Sequence, residues 1–153
     1  MKISVGSDHA GCDHKSKIIK EVSSLGHTMV DLGTNSSESV DYPDYAEKCA
    51  AMVACREAKM AILICGTGIG MSISANKVKG IRAAVCWNTE TATLARQHND
   101  ANVLCLGARF LSPEECVKIA KVFIQTPKSN DERHIRRVKK IMSIEERNKT
   151  CEQ

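Results

Sequence analysis

Aromatic side chains are nearly missing from this chain: one Trp, two Tyr and two Phe, 3% of 153 residues. Proteins that hold single-stranded nucleic acid stack bases on such rings, so that class of partner is excluded first. The formal net charge of +4 is too modest to restore it, and anionic small molecules are the better partner class. No apolar run approaches the roughly 18 residues that would cross a membrane. Neither a signal-peptide core nor a cleavage-site pattern precedes the strand-like segment 2–6, so a cytoplasmic location is expected. Eight cysteines stand at 12, 49, 55, 65, 86, 105, 116 and 151, yet no C-x-x-C pair occurs among them. That argues against zinc, and no other metal is expected. A chain this long needs no disulfide staples, and most of these cysteines sit in apolar segments, where a reduced thiol behaves as a small hydrophobe. Internal repeats and low-complexity tracts are also lacking. The length suits one domain over 1–153, with a core in 1–125 and a C-terminal helix in 131–148.

Five short apolar runs, 2–6, 28–32, 60–65, 81–86 and 102–107, are mostly unalternated, as strands buried on both faces are. Between them lie segments of helical length and pattern, 14–25, 43–58, 69–78, 89–97 and 113–125, with a last helix predicted over 131–148. The alternation predicts an α/β class with β-α-β crossovers: a Rossmann-like, doubly wound parallel sheet of five strands in the order 2-1-3-4-5. Ser112, Pro113 and Glu115 form a strong helix start, with a capping hydroxyl, proline at the first helical position and glutamate at the third. The final helix carries Arg133, Arg136, Arg137, Lys139 and Lys140 on one side and Ile135, Val138, Ile141 and Ile144 on another. Such a helix is expected to pack on the core or on a second subunit.

The most chemically loaded stretch is Cys65-Gly66-Thr67-Gly68-Ile69-Gly70-Met71, where a strand should turn into a helix. Three glycines let the backbone bend and aim amide N–H groups inward, and a helix N-terminus adds positive potential, together making a cradle for an oxyanion or phosphate. The same surroundings favour a thiolate. In open parallel sheets ligands bind beyond the carboxyl ends of the strands, where the strand order reverses. The loop after the first strand, Ser7-Asp8-His9-Ala10-Gly11, should share that crevice with the Cys65 loop. Taken singly, each signal has a plain alternative. Cys65 reads as a buried structural thiol, Asp8 as a helix cap and His9 as a solvated loop residue; their convergence on one crevice is what favours chemistry.

His98 and Asn99 close the fourth helix. A crossover helix runs antiparallel to its strands, so within one chain His98 should not reach Cys65. The two residues are either a polar helix-end cluster or a contribution from a second subunit, which predicts an obligate dimer. Arg133 and Arg137 stand four apart and share a helix face suited to one phosphate, with Arg109 a third candidate. A solvated basic helix pairing with Glu132 and Glu145 is the alternative.

Several segments together, Gly6 to Gly11, Asp41-Tyr42-Pro43-Asp44, Ile64 to Gly70, Ala75-Asn76-Lys77, Arg96 to Asp100, and Arg133-His134 with Arg136-Arg137-Val138, resemble the type B ribose-5-phosphate isomerases of the wider RpiB/LacAB sugar-phosphate isomerase family. The resemblance covers nearly the whole chain. It implies interconversion of ribose 5-phosphate and ribulose 5-phosphate in the pentose phosphate pathway, without metal or organic cofactor. It implies Cys65 as the base that moves a proton between C2 and C1 through an enediolate, with Thr67 and the amides of Gly66, Gly68, Ile69 and Gly70 stabilising the enediolate oxygens. His98 would assist ring opening, with Asp8 as its partner in proton transfer. Asn99 would contact the sugar, Tyr42 would line the pocket, and His9, Arg109, Arg133 and Arg137 would bind phosphate, Arg136 and Lys139 being possible substitutes. Some members use a glutamate base; the corresponding position here looks like Met71, which takes no proton. The family implies a homodimer with shared sites, and leaves open its pairing into tetramers. A six-carbon sugar-phosphate isomerase remains an alternative, as does a non-catalytic sugar-phosphate or nucleotide-binding module. Against the latter, the first loop lacks G-x-G-x-x-G and places Asp8 where a pyrophosphate would lie.

Overall fold

The computed structural model describes residues 1–148, so Cys151 lies outside the described residues. Strands β1 (Lys2–Ser7), β2 (Thr28–Asp31), β3 (Met60–Cys65), β4 (Ala83–Val85) and β5 (Val103–Gly107) alternate with helices. These are α1 (Cys12–Ser23), α2 (Tyr42–Ala54), α3 (Ile69–Ala75), α4 (Thr89–Asn99) and α5 (Pro113–Gln125), followed by α6 (Glu132–Asn148). All strand pairs are parallel, as expected for crossover connections.

The order is β2-β1-β3-β5-β4, not 2-1-3-4-5. β5 inserts between β3 and β4 because all five of its residues are buried, whereas β4 is three half-buried residues suited to an edge. This correction matters for the site, since Cys65 pairs with Gly107 in the register. Ala108 N–H then donates to the Cys65 carbonyl at 2.9 Å and Arg109 N–H to that of Gly66 at 3.0 Å, so the chain after β5 runs beside the cysteine loop.

The two faces of the sheet have different residues. Ile62, Ile64, Leu104 and Leu106 pack with α1, α4 and α5 around Phe123. Ala61, Leu63, Cys65, Val103 and Cys105 face the small side chains of α2 and α3, among them Ala46, Ala50 and Ala75. Small residues on that face let α2 and α3 lie close to the strand ends.

Helix boundaries shift where side chains compete with the helix. α1 starts two residues early, continuing from a 3₁₀ turn at His9–Gly11 that Asp8 caps through a 3.0 Å bond from Ala10 N–H. α2 ends at Ala54 because Arg56 turns left-handed, with φ 62°. α3 stops at Ala75 because the Asn76 amide clamps both backbone groups of Ala83, accepting at 2.8 Å and donating at 2.9 Å. The Ser112 cap on α5 forms as predicted, reciprocated by Glu115. α6 packs on α4, and Glu145 near its end accepts from Gly80 N–H at 3.0 Å. Ile135, Ile141 and Ile144 remain outside that contact, 39%, 39% and 48% exposed, so the core covers only part of the apolar side.

Candidate active site

Cys65 is the last residue of β3, 4% exposed, with its sulfur turned toward the carboxyl edge of the sheet. Gly68 N–H points at that sulfur from 3.1 Å, placing a donor where negative charge on sulfur would be met. Gly68 can do this because it adopts φ 77° with its α-carbon against the Leu106 carbonyl; a Cβ there would stand 3.0 Å from the carbonyl carbon. Thr67 Oγ1 accepts from Ile69 N–H at 3.2 Å, which leaves the hydroxyl proton free to donate.

A cleft of about 470 Å³ opens above this loop, within the range of small-molecule sites. Asp8, His9 and Tyr42 line it, together with Gly66, Thr67, Ile69, Gly70 and Arg109, and with Val40 and Ile73. Close approach of backbone to side chains shapes it: a Cβ on Gly66 would meet the Arg109 guanidinium carbon at 3.0 Å, and one on Gly70 the Tyr42 ring at 2.5 Å. Asp8 is buried and caps the turn with one oxygen, accepting from Ala10 N–H at 3.0 Å, while the residue also lines the cleft. His9 is oriented by Val40 N–H, which donates to Nδ1 at 3.3 Å. Lys15, 1% exposed, fixes the chain after β2 from below through 2.8 Å bonds to both Asp31 oxygens and to Asn35.

Size alone does not mark the site. A larger hollow of about 720 Å³ lies at the opposite edge, lined by Lys2, Arg56, Lys59, Lys128 and others, with no cysteine or histidine among them.

Of the other thiols, burial pushes Cys49 and Cys116 up to about 12, Cys86 up to about 11, and Cys105 upward as well. These are core residues, as small hydrophobes should be. All seven cysteines among the described residues are free, and no group of three or more His, Cys, Asp or Glu side chains there is placed to hold a metal.

The remaining predicted residues gather elsewhere. Arg82 donates to the carbonyls of Asn99 and Asp100, and Asp100 borders the hollow at the amino ends of β1 and β3. The six residues of β3 separate that edge from Cys65 by roughly 17 Å. There the His98 ring stacks on His134, with centroids 4.1 Å apart and planes 8° from parallel. Arg133 is paired with Asp131 at 3.0 Å, and it and Arg137 are exposed on α6 beside the imidazoles. The chain therefore carries two polar constellations at opposite edges: a thiol beside a glycine loop and Arg109, and a histidine pair with arginines.

The sequence reading missed Val40, Ile73 and His134. Ile69 and Ile73, exposed four apart at the helix start after the cradle, were a legible signal; Val40 and the His98–His134 contact depend on long-range placement.

The sequence model of the Ribose/Galactose Isomerase family matches residues 3–141. This chain belongs to that family. Ribose-5-phosphate isomerase B of Escherichia coli is 44% identical over 146 residues, covering 95% of this chain and 97% of its own. The structure of ribose-5-phosphate isomerase B from Clostridium thermocellum superposes with a TM-score of 0.93 at 44% identity, over 97% of this chain and 99% of that one. The Mycoplasma genitalium relative, solved with bound ribulose 5-phosphate, gives 0.90 at 41% identity, over 95% of this chain and 96% of that one. Family members thus share the parallel sheet and its order of elements with this chain, which fixes the setting in which its two constellations are to be understood.

Proposed function

We propose that this protein is a ribose-5-phosphate isomerase that interconverts ribose 5-phosphate and ribulose 5-phosphate by a proton shift between C2 and C1. The observation that carries the reading is Cys65 at the floor of a cleft that also presents Asp8, Thr67 and Arg109, with Gly68 N–H aimed at the sulfur. An enediolate needs a base at carbon, donors at oxygen and a cation for the distant phosphate; this cleft offers all three. Cys65 removes the C2 proton of the open-chain aldose, negative charge develops on O1, the O2 proton passes to O1, and the same thiol delivers its proton to C1 as the C2 carbonyl forms. The Thr67 hydroxyl meets the oxygens as charge grows, which is where preorganised donors act most strongly; of the loop amides, Gly68 N–H is turned to the Cys65 sulfur and Ile69 N–H to Thr67 Oγ1 instead. Arg109, with His9, takes the phosphate.

His98, Asn99, Arg133 and Arg137 enter the reading through a second subunit. Their distance from Cys65 within one chain, and the exposed Ile69 and Ile73 beside the cleft, support a homodimer in which α4 and α6 of one protomer close the cleft of the other. His98 then delivers a proton to the furanose ring oxygen, with Asp8 as its partner, and Arg133 and Arg137 complete the phosphate site. The free thiols suit the reducing cytoplasm, where we place the reaction.

The test is an assay of purified protein with ribose 5-phosphate, with allose 6-phosphate for comparison, alongside Cys65→Ala. Loss of a positioned general base should lower kcat by about 10²- to 10⁴-fold while the variant still folds and binds substrate. Near-normal turnover by Cys65→Ala would remove Cys65 from the mechanism, and a higher kcat/KM for the six-carbon substrate would overturn the substrate assignment.

A further inference from the structure

His134 is 6% exposed, and its Nδ1 is buried without a hydrogen-bond partner. A buried, unpaired polar atom is a cost to the fold that Phe or Leu would not incur. What the side chain does instead is lie flat against His98 at 4.1 Å. His98 sits in the last turn of α4, where Arg96 and Arg82 anchor the left-handed Asp100 that follows, so its backbone is held firmly. Its own ring has no hydrogen bond among the described residues, and the stack on His134 is the contact that sets its plane.

We propose that His134 is a positioning residue: a flat platform that fixes the ring plane of His98 so that its nitrogens, at the ring edge, meet the substrate. The proposal rests on the isomerase reading, in which His98 transfers a proton during ring opening.

The charges around the pair favour this division of labour. Two imidazolium rings 4.1 Å apart would repel, so the pair takes up one proton before two. His134 lies in the first turn of α6, where the helix field disfavours positive charge. Burial, the neighbouring His98, and Arg133 and Arg137 all lower its pKa; Asp131 opposes them. Beside it, lining the same groove, stand Asp100, which caps the end of α4, Lys128 of the linker and Lys139 of α6. Of the two rings, His134 is thereby the one whose surroundings oppose taking up a proton.

The test compares His134→Phe, which keeps a flat ring, with His134→Leu, which does not. With ribose 5-phosphate, His134→Leu should lose about tenfold in kcat through misorientation of His98, with KM within about twofold, and His134→Phe should recover most of that loss. Both should melt at or above the wild-type temperature, since the orphaned nitrogen is gone. In the wild type, ring-proton NMR should show the His134 resonance titrating at lower pH than an ordinary histidine side chain. Full activity in His134→Leu, or equal losses of kcat in both variants, would overturn the proposal, as would a His134 resonance that titrates like an ordinary histidine. An inactive wild type would overturn the isomerase reading instead, and the NMR titration would still report on the pair.

Discussion

Gly68 N–H aims at the Cys65 sulfur from 3.1 Å, whereas the sulfurs of Cys49, Cys105 and Cys116 are enclosed in the core. Reactivity follows the thiolate fraction, so a thiol held near 12, as Cys49 and Cys116 are, is about one part in ten thousand thiolate at pH 8. Mass spectrometry after brief alkylation of the native protein should find Cys55, which is exposed, labelled, and these three unlabelled until the protein unfolds. Native labelling of Cys49 or Cys105 would show that the core opens far more readily than its burial indicates. Gly70 tests the wall of the cleft. A methyl group there meets the Tyr42 ring at 2.5 Å, and because Tyr42 is 39% exposed the ring can yield without unfolding the protein. Gly70→Ala should raise KM for ribose 5-phosphate by about fivefold, equivalent to ~1 kcal/mol of lost contact, with little change in melting temperature. An unaltered KM would mean that Tyr42 does not shape the substrate's wall.

Secondary-structure elements were legible wherever one segment held its own signal. The Ser112 cap, the apolar run of β3 and the glycine turn after it are local patterns, and each formed where it was read. Ends that depend on distant partners moved: α3 stops where Asn76 reaches across to Ala83, seven residues on in sequence but in another element. The α4–α6 junction is the clearest case, since nothing in the spacing of His98 and His134 announces that their rings stack. That junction also sets a pH dependence. In the native state burial, then His98 and the nearby arginines, hold His134 below the ordinary 6.5; the unfolded chain has no such restraint. Above that pH neither state binds the proton and the stability is intact, but as pH falls below it the unfolded state takes up a proton that the native state refuses. The urea midpoint should therefore drop between pH 7 and pH 5, and drop less in His134→Phe. An equal drop in both proteins would assign the acid sensitivity to other groups.

Under the proposed function, the two constellations of the chain, separated by the height of the sheet, serve one reaction when two copies meet. Sedimentation should find a dimer, and mixing Cys65→Ala with His98→Asn should recover activity that neither has alone. Random re-pairing makes half the dimers hybrid, each with one intact site, so about a quarter of wild-type activity is expected if the sites are shared. No recovery after demonstrated subunit exchange would show that each protomer works alone. Class, strand positions, the cysteine cradle and the conflict over His98 were all present in the one-dimensional pattern, because hydrophobic period, capping residues and glycine turns act over a few residues. Strand order was not, since β5 takes the central place through burial of all its side chains against helices far along the chain. Nor was the company that Arg109 and His134 keep. Those contacts exist because folding closes long loops, and which distant surfaces meet is settled by packing of the folded chain, where local preference is silent.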